Sequence, residues 1–221
     1  MPPPVIRAVL FDLDGTLADT AGDLALALNR LRLEHQLAPL PLERTRPYTS
    51  SGARGLLKIG FDLDPDNAGY ASMKERFLDL YGESLCVHTR LFDGMAELLG
   101  ELDRKTVAWG IVTNKPKRFT EPLVRLLQLH TRAACVVSGD TTPRAKPAPD
   151  SLLHASALIR IEPAACLYVG DDVRDVESAR AAGMPVIAAG WGYLGAEGGD
   201  PSQWGADAVL DRPLEILKHV G

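Results

Sequence analysis

Cysteine is scarce in this chain. Cys86, Cys135 and Cys166 stand far apart in 221 residues, with no Cys-x-x-Cys pair. That excludes a disulfide framework and a thiolate metal site, and it fits reduced thiols serving as small core residues in a cytoplasmic setting. Long apolar runs are missing too. Met1 leads through Pro2, Pro3 and Pro4 into a short apolar stretch that soon meets Asp12 and Asp14, so neither a signal peptide nor a membrane span is expected. There is no basic excess: 24 Lys and Arg against 29 Asp and Glu leave a net charge of -5. This argues against a nucleic-acid surface, and an anionic ligand would need local cations. No repeat is present, no low-complexity tract beyond the proline run, and no pattern that specifies an oligomeric state. A length of 221 residues with 46% hydrophobic and 24% charged residues suits one globular domain, or one domain with an insert.

What the chain does have is an apolar, β-branched run from Val5 to Phe11 that closes on Asp12-Leu13-Asp14-Gly15-Thr16. Such a run reads as a buried strand. Alternate strand residues share a face, so Asp12 and Asp14 point the same way if the strand continues, and Gly15 lets the chain turn off. Two carboxylates at the mouth of a buried strand repel each other. A hard divalent cation, Mg²⁺ above all, relieves that repulsion. A helix N-cap beside a turn acid is the plainer explanation of the same pair.

Residues 17–88 carry helical spacing only. Leu24, Ala27, Leu28 and Leu31 follow a cap at Asp19 or Thr20, another helix opens at Ser51-Gly52-Ala53-Arg54, and Met73, Phe77, Leu80 and Tyr81 mark a further one. From Met95 onward the texture alternates. Strands are expected at 107–112, 135–137, 167–169, 185–189 and 208–210. Helices are expected at 95–102, 119–127, 151–158, 173–182 and 214–220, with Gly183 a left-handed stop. Alternation of this kind means βαβ units and a parallel sheet, an α/β fold that binds ligands at the carboxyl ends of its strands. The helical stretch after the first strand implies an insert. The expected division is a core of 1–16 and 89–221 with a helical cap of 17–88.

Chemistry-bearing residues stand just past the expected strands: Asp12 and Asp14; Thr113, Asn114 and Lys115; Arg144 to Pro147, with Lys146; and Asp171 and Asp172, with Asp175 one turn on. The set suits phosphoryl transfer. One carboxylate can attack phosphorus and a second carboxylic acid can protonate the leaving alkoxide. A divalent ion can bridge nucleophile and phosphate, while a hydroxyl and an ammonium hold the remaining oxygens. Each piece has a plainer reading. Thr113, Asp171 or Asp172 would serve as helix caps, Lys146 as a surface lysine, and Asp175 as a first-turn acid facing a helix dipole.

In this order, Asp-x-Asp-Gly-Thr, Val-Thr-Asn, Lys-Pro and Gly-Asp-Asp-x-x-Asp resemble the haloacid dehalogenase superfamily through nearly the whole chain. The resemblance implies a Rossmann-like parallel-sheet core with an inserted helical cap. It makes Asp12 the nucleophile and Asp14 the general acid/base. It gives Mg²⁺ the Asp12 carboxylate, the Asp14 carbonyl and the carboxylate of Asp171 or Asp172, with Asp171 favoured. Thr113 and Lys146 would grip phosphate, Asn114 would help to bind substrate, and Asp175 would steady Lys146 or the metal waters.

The second aspartate and the acid pair favour phosphate over halide chemistry. A small phosphorylated metabolite is the expected partner, with a sugar-phosphate mutase and a silent phosphate-binding module as alternatives. Arg54 in the cap can meet a carboxylate or phosphate of the substrate. Trp191-Gly192-Tyr193 could line the cleft, whereas His88 and Trp204 read as structural. Within the superfamily the chain is similar to phosphoglycolate phosphatases. It is more similar to N-acetylmuramic acid 6-phosphate phosphatases, through Leu91 to Met95, Trp109 to Pro116, Gly170 to Ser178, Trp191 to Tyr193 and Trp204 to Asp207.

Overall fold

The computed structural model describes residues 5–196 and 198–220, so the proline run at 2–4 lies outside the described residues. Strand β1 (Ala8–Phe11) is wholly buried and shorter than the apolar run that predicts it, since Val5 is exposed. Around it stand β4 (Ala108–Val112), β5 (Val136–Val137), β6 (Cys166–Gly170), β7 (Val186–Ala189) and β8 (Ala208–Leu210). They form one sheet in the order β5-β4-β1-β6-β7-β8, with every pairing parallel. Phe11 pairs with Ile111 on one side and Val169 on the other, so the residues that follow β1, β4 and β6 emerge together.

Period-two alternation splits β1 between two cores. Val9 and Phe11 pack with α5 (Met95–Arg104) and the second half of α6 (Lys117–Leu126) on one face. Ala8 and Leu10 pack with α7 (Asp150–Ile159) and α8 (Val173–Ala182) on the other. A sheet buried on both faces needs continuous apolar strands, which is how these strands read. Gly183 takes φ +72° at the end of α8, as a left-handed stop requires.

The helices that follow β1 make a third apolar cluster. They are α1 (Ala21–Glu34), α3 (Gly52–Phe61) and α4 (Tyr70–Gly82), whose Leu28, Leu31, Leu56, Leu57, Phe77 and Leu80 fill the interior, while the short α2 (Leu42–Thr45) adds no residue to it. The expectation of helices alone over 17–88 is corrected at its edge. β2 (Ala18–Asp19) pairs antiparallel with β3 (Arg90–Leu91), a ribbon at the root of the helical segment that is too short to show a sequence period. A second correction concerns 214–220, where the chain makes tight 3₁₀ turns over Pro213–Lys218 rather than an α-helix. Pro213 opens those turns, and a run this short never needs the full α ladder.

None of the described helices is long and apolar enough to cross a membrane. The three cysteines are free; Cys135 and Cys166 are buried and Cys86 half-buried. Burial pushes the Cys135 thiol up to about 12 and that of Cys166 to about 11, as inert packing residues require.

Candidate active site

At the carboxyl end of β1 the chain turns at once. Gly15 takes φ +88°, and its N–H donates to the Ala18 carbonyl. The close approach also demands glycine: a Cβ on Gly15 would stand 2.2 Å from Asp171 Oδ2, and one on Gly192 would stand 2.3 Å from Asp171 Cβ. Asp171 is therefore cradled by bare backbone on both sides. It is 0% exposed and accepts hydrogen bonds from Thr16 Oγ1 (2.9 Å), the Tyr193 N–H (2.9 Å) and Ser50 Oγ (3.2 Å).

Carboxylate oxygens of Asp12, Asp171 and Asp175 lie within 4.8 Å of one another. A divalent cation fits this set. Three acids crowd a buried space, and Lys146 is the one ammonium paired with Asp12 and Asp175 among the described residues. Asp172 stands outside the cluster. It caps α8, accepts the Arg174 N–H (2.9 Å), and pairs with the Arg174 guanidinium at 2.8 Å. Its own N–H donates to Asp175 Oδ2 (3.1 Å). The two acids next to each other in sequence thus divide: Asp171 faces the cluster and Asp172 serves the helix. Burial works against the Asp172 charge, yet Arg174 holds its carboxyl below the usual range.

Lys146 answers the cluster's charge. Its side chain is 3% exposed, and Nζ lies 2.9 Å from Asp12 Oδ1, 2.6 Å from Asp175 Oδ1 and 2.7 Å from the Tyr168 hydroxyl. A surface-lysine reading is thereby overturned. Burial disfavours the Lys146 ammonium, but the two carboxylates outweigh burial and push its pKa up to about 12. Burial pushes the Asp12 carboxyl up to about 6; Lys146 pulls it down, and the Asp175 charge adds to the rise. Burial and the same two neighbours, Asp12 and Asp175, raise Asp171 well above the ordinary carboxylate range.

Asp14 looks the other way, toward Thr20 Oγ1 (2.6 Å) and Lys115 Nζ (2.8 Å), both of which donate to its Oδ1. The sequence reading gives Lys115 no role, although it directly follows Thr113 and Asn114 at a strand end. It is almost fully buried, with Nζ 4.7 Å from the Tyr81 ring centroid. Thr113 does not cap α6, whose N-cap is Pro116; its hydroxyl accepts the Lys115 N–H (3.1 Å). Asn114 reaches the cavity wall, but its amide is spent on the Lys146 main chain. It accepts the Lys146 N–H (2.9 Å) and donates to the Lys146 carbonyl (3.0 Å). That is a positioning contact rather than a free substrate-binding group.

The expected caps of α1 are also corrected. The Thr20 hydroxyl is taken by Asp14, and Asp19 Oδ1 accepts the Ala21 N–H only at 3.3 Å. The helix end is closed from afar by the Tyr193 hydroxyl, which accepts the N–H groups of Thr20 (2.7 Å) and Ala21 (3.0 Å) and donates to Asp19 (2.8 Å). Trp191 donates to the Thr16 carbonyl (2.9 Å). Trp191-Gly192-Tyr193 therefore braces the site instead of lining its cavity.

That cavity measures about 300 Å³. Asp12, Asp14, Thr113, Lys146 and Asp175 form its floor, and Arg54, Tyr70, Lys74, Phe77 and Tyr81 come from the helices above. His88 is exposed and gives its main-chain N–H to Asp23, and Trp204 packs beside the α8 core.

The arrangement can be set beside known proteins. Residues 9–189 match the family model described as haloacid dehalogenase-like hydrolase. An N-acetylmuramic acid 6-phosphate phosphatase of Pseudomonas putida is 41% identical over 215 residues, covering 97% of this chain and 96% of that protein. A phosphoglycolate phosphatase of Xanthomonas campestris pv. campestris is 41% identical over 211 residues, covering 95% and 94%. A solved structure from Haemophilus somnus, described as a predicted phosphoglycolate phosphatase, superposes with a TM-score of 0.83 at 27% identity, covering 96% and 97%. With its parallel sheet, its acids past β1 and β6 and these likenesses, the chain belongs to the haloacid dehalogenase-like hydrolase family, among that family's phosphatases.

Proposed function

We propose that the chain is a Mg²⁺-dependent phosphomonoesterase that acts through a phosphoaspartate on Asp12, with residues 17–88 as a cap over the site. Its substrate is a small phosphorylated metabolite bearing a carboxylate, first of all N-acetylmuramic acid 6-phosphate. The observation that carries the reading is the Asp12 carboxylate on the cavity floor, 2.9 Å from Lys146 Nζ and clustered with the carboxylates of Asp171 and Asp175.

In this reading Asp12, Asp171 and the main chain at Asp14 would hold Mg²⁺, which would offset phosphate charge as the nucleophile approaches. Asp12 attacks phosphorus and the ester P–O bond breaks. Asp14 gives its proton to the departing oxygen, then takes one from the water that attacks the phosphoaspartate and frees Asp12. Thr113 and Lys146 hold the non-reacting oxygens, and Asp175 and Asn114 keep Lys146 in place.

Two features support the sugar acid as substrate: the name of the Pseudomonas relative, and a cavity of about 300 Å³, at the lower end of ligand-pocket sizes, of which a two-carbon phosphate fills only a part. The name of the Xanthomonas relative favours 2-phosphoglycolate as the second reading. Phosphate release on both compounds and on hexose phosphates, with Mg²⁺ and with chelator, decides between them. The expected result is fastest release from N-acetylmuramate 6-phosphate, lost with chelator. A wide preference for 2-phosphoglycolate overturns the substrate, and isomerised sugar without free phosphate makes the protein a mutase.

The cation has a readout apart from activity. The Asp12 carboxyl rises from 3.8 to about 6 on folding, so the folded state binds the extra proton. Without a cation, stability from this group is complete below about pH 4 and falls as pH climbs through 6, by on the order of 3 kcal/mol. Bound Mg²⁺ removes that loss. The rise in Tm on adding Mg²⁺ should therefore be several degrees larger at pH 7.5 than at pH 4.5, by about 6–12 °C. A shift that is absent, or the same at both pH values, counts against the site.

A further inference from the structure

One face of α4 runs along the cavity. Tyr70, Lys74, Phe77, Leu78 and Tyr81 all line it, at the spacing of a single helical stripe. The cations on the cavity floor are each spoken for: Lys115 by Asp14, Lys146 by Asp12 and Asp175, Arg174 by Asp172. Arg54 and Lys74 also line the cavity, yet neither makes an ion pair or a side-chain hydrogen bond among the described residues.

The placement of Arg54 runs against its own helix. It sits in the first turn of α3, where a cation opposes the helix dipole. That turn holds no acid, and the N-cap residue Ser51 makes no side-chain cap bond. A local rule broken without local return marks a binding role, and an anion docked at this end would restore the balance. Tyr81 gives an independent sign. It is 1% exposed, and its hydroxyl, near the Lys115 ammonium, makes no hydrogen bond of good geometry among the described residues. Buried polar groups are seldom left so, and a ligand hydroxyl in the cavity would complete this one. Phe77, Leu78 and Phe119 supply an apolar wall, which suits the face of a sugar ring.

We propose, resting on the phosphatase reading above, that Arg54 and Lys74 together seat a carboxylate remote from the substrate's phosphate while the Tyr81 hydroxyl hydrogen-bonds the sugar. The enzyme thereby selects sugar phosphates that carry an acidic side arm. Lys74 becomes a specificity residue alongside Arg54, Tyr81 holds the sugar that both kinds of substrate share, and the floor of the site stays indifferent to which sugar is bound.

The test compares N-acetylmuramate 6-phosphate with N-acetylglucosamine 6-phosphate, the same sugar without the lactyl acid. The wild type and the Arg54→Ala/Lys74→Ala double variant are assayed on both. Loss of two charge-assisted contacts should lower kcat/KM on the acid sugar on the order of 100-fold or more, chiefly through KM. The loss on the neutral sugar should be at least about tenfold smaller. Tyr81→Phe keeps the packed ring and should cost both sugars alike, about tenfold. Equal losses on the two sugars in the double variant, or none, overturn the inference while leaving the phosphatase standing. A wild type that takes 2-phosphoglycolate and neither sugar overturns the substrate reading and this inference with it.

Discussion

Asp12→Asn is expected to remove turnover, on the order of 10⁴-fold or more in kcat, without unfolding the protein. The amide is nearly isosteric but has no lone pair fit to attack phosphorus, so no phosphoenzyme forms. Loss of a nucleophile is not offset by the rest of the site, because binding and charge stabilisation act only on a step that has begun. The same substitution should hold or raise the Tm of the metal-free protein. The Asp12 carboxyl is pushed up to about 6, which means that folding penalises its charged form even with Lys146 beside it, although at neutral pH it is still mostly ionised. Removing that charge relieves Asp171 and Asp175, and Lys146 keeps Asp175 as its partner at 2.6 Å. Inactivity with intact or improved stability is thus the expected pair. Residual turnover within tenfold of wild type would show that another group attacks phosphorus, and a collapsed Tm would make Asp12 structural.

Much of this site is legible in the sequence, because its carriers stand at strand ends. The β1 run announces a buried strand, and the two-sided burial of the sheet is why periodicity and composition sufficed to place β4, β6 and β7. The division of labour between Asp171 and Asp172 is not legible. It depends on which carboxylate the backbone cradle at Gly15 and Gly192 admits, and Gly192 comes from a loop distant in sequence. Nor can a sequence show that Tyr193 closes the start of α1, since the local cap residues Asp19 and Thr20 are both present and plausible. Thr20 leaves that duty for Asp14, a contact made only because the chain reverses at Gly15. The role of Lys115, itself visible at a strand end, is hidden for a similar reason. Its neighbour in the motif, Thr113, draws attention, while its own partners Asp14 and Tyr81 are brought to it by the turn after β1 and by α4. Local propensity thus found the elements, and tertiary contact assigned the side chains.

Lys146→Met should be the most costly single change to stability among these side chains. Its ammonium is buried between Asp12 and Asp175 and also donates to the Val112 carbonyl (3.2 Å) and the Tyr168 hydroxyl (2.7 Å). Methionine fills the volume but leaves three buried carboxylates facing one another with no cation of the protein's own. Stranding the partners of a buried ion pair costs about 3–5 kcal/mol, and a chain of this size then loses about 6–20 °C in Tm. Turnover should vanish as well, since the phosphate loses its ammonium. A second substitution separates the two effects. In Lys146→Met/Asp175→Asn one of the stranded charges is gone and the amide still accepts the Asp172 N–H that begins α8. The double variant should regain roughly half of the lost Tm and none of the activity. Stability and catalysis then part company, as they must if Lys146 both neutralises the cluster and grips the substrate. A Lys146→Met protein that melts with the wild type would mean that the carboxylates are already neutral without it. Recovery of turnover in the double variant would remove Lys146 from the chemistry.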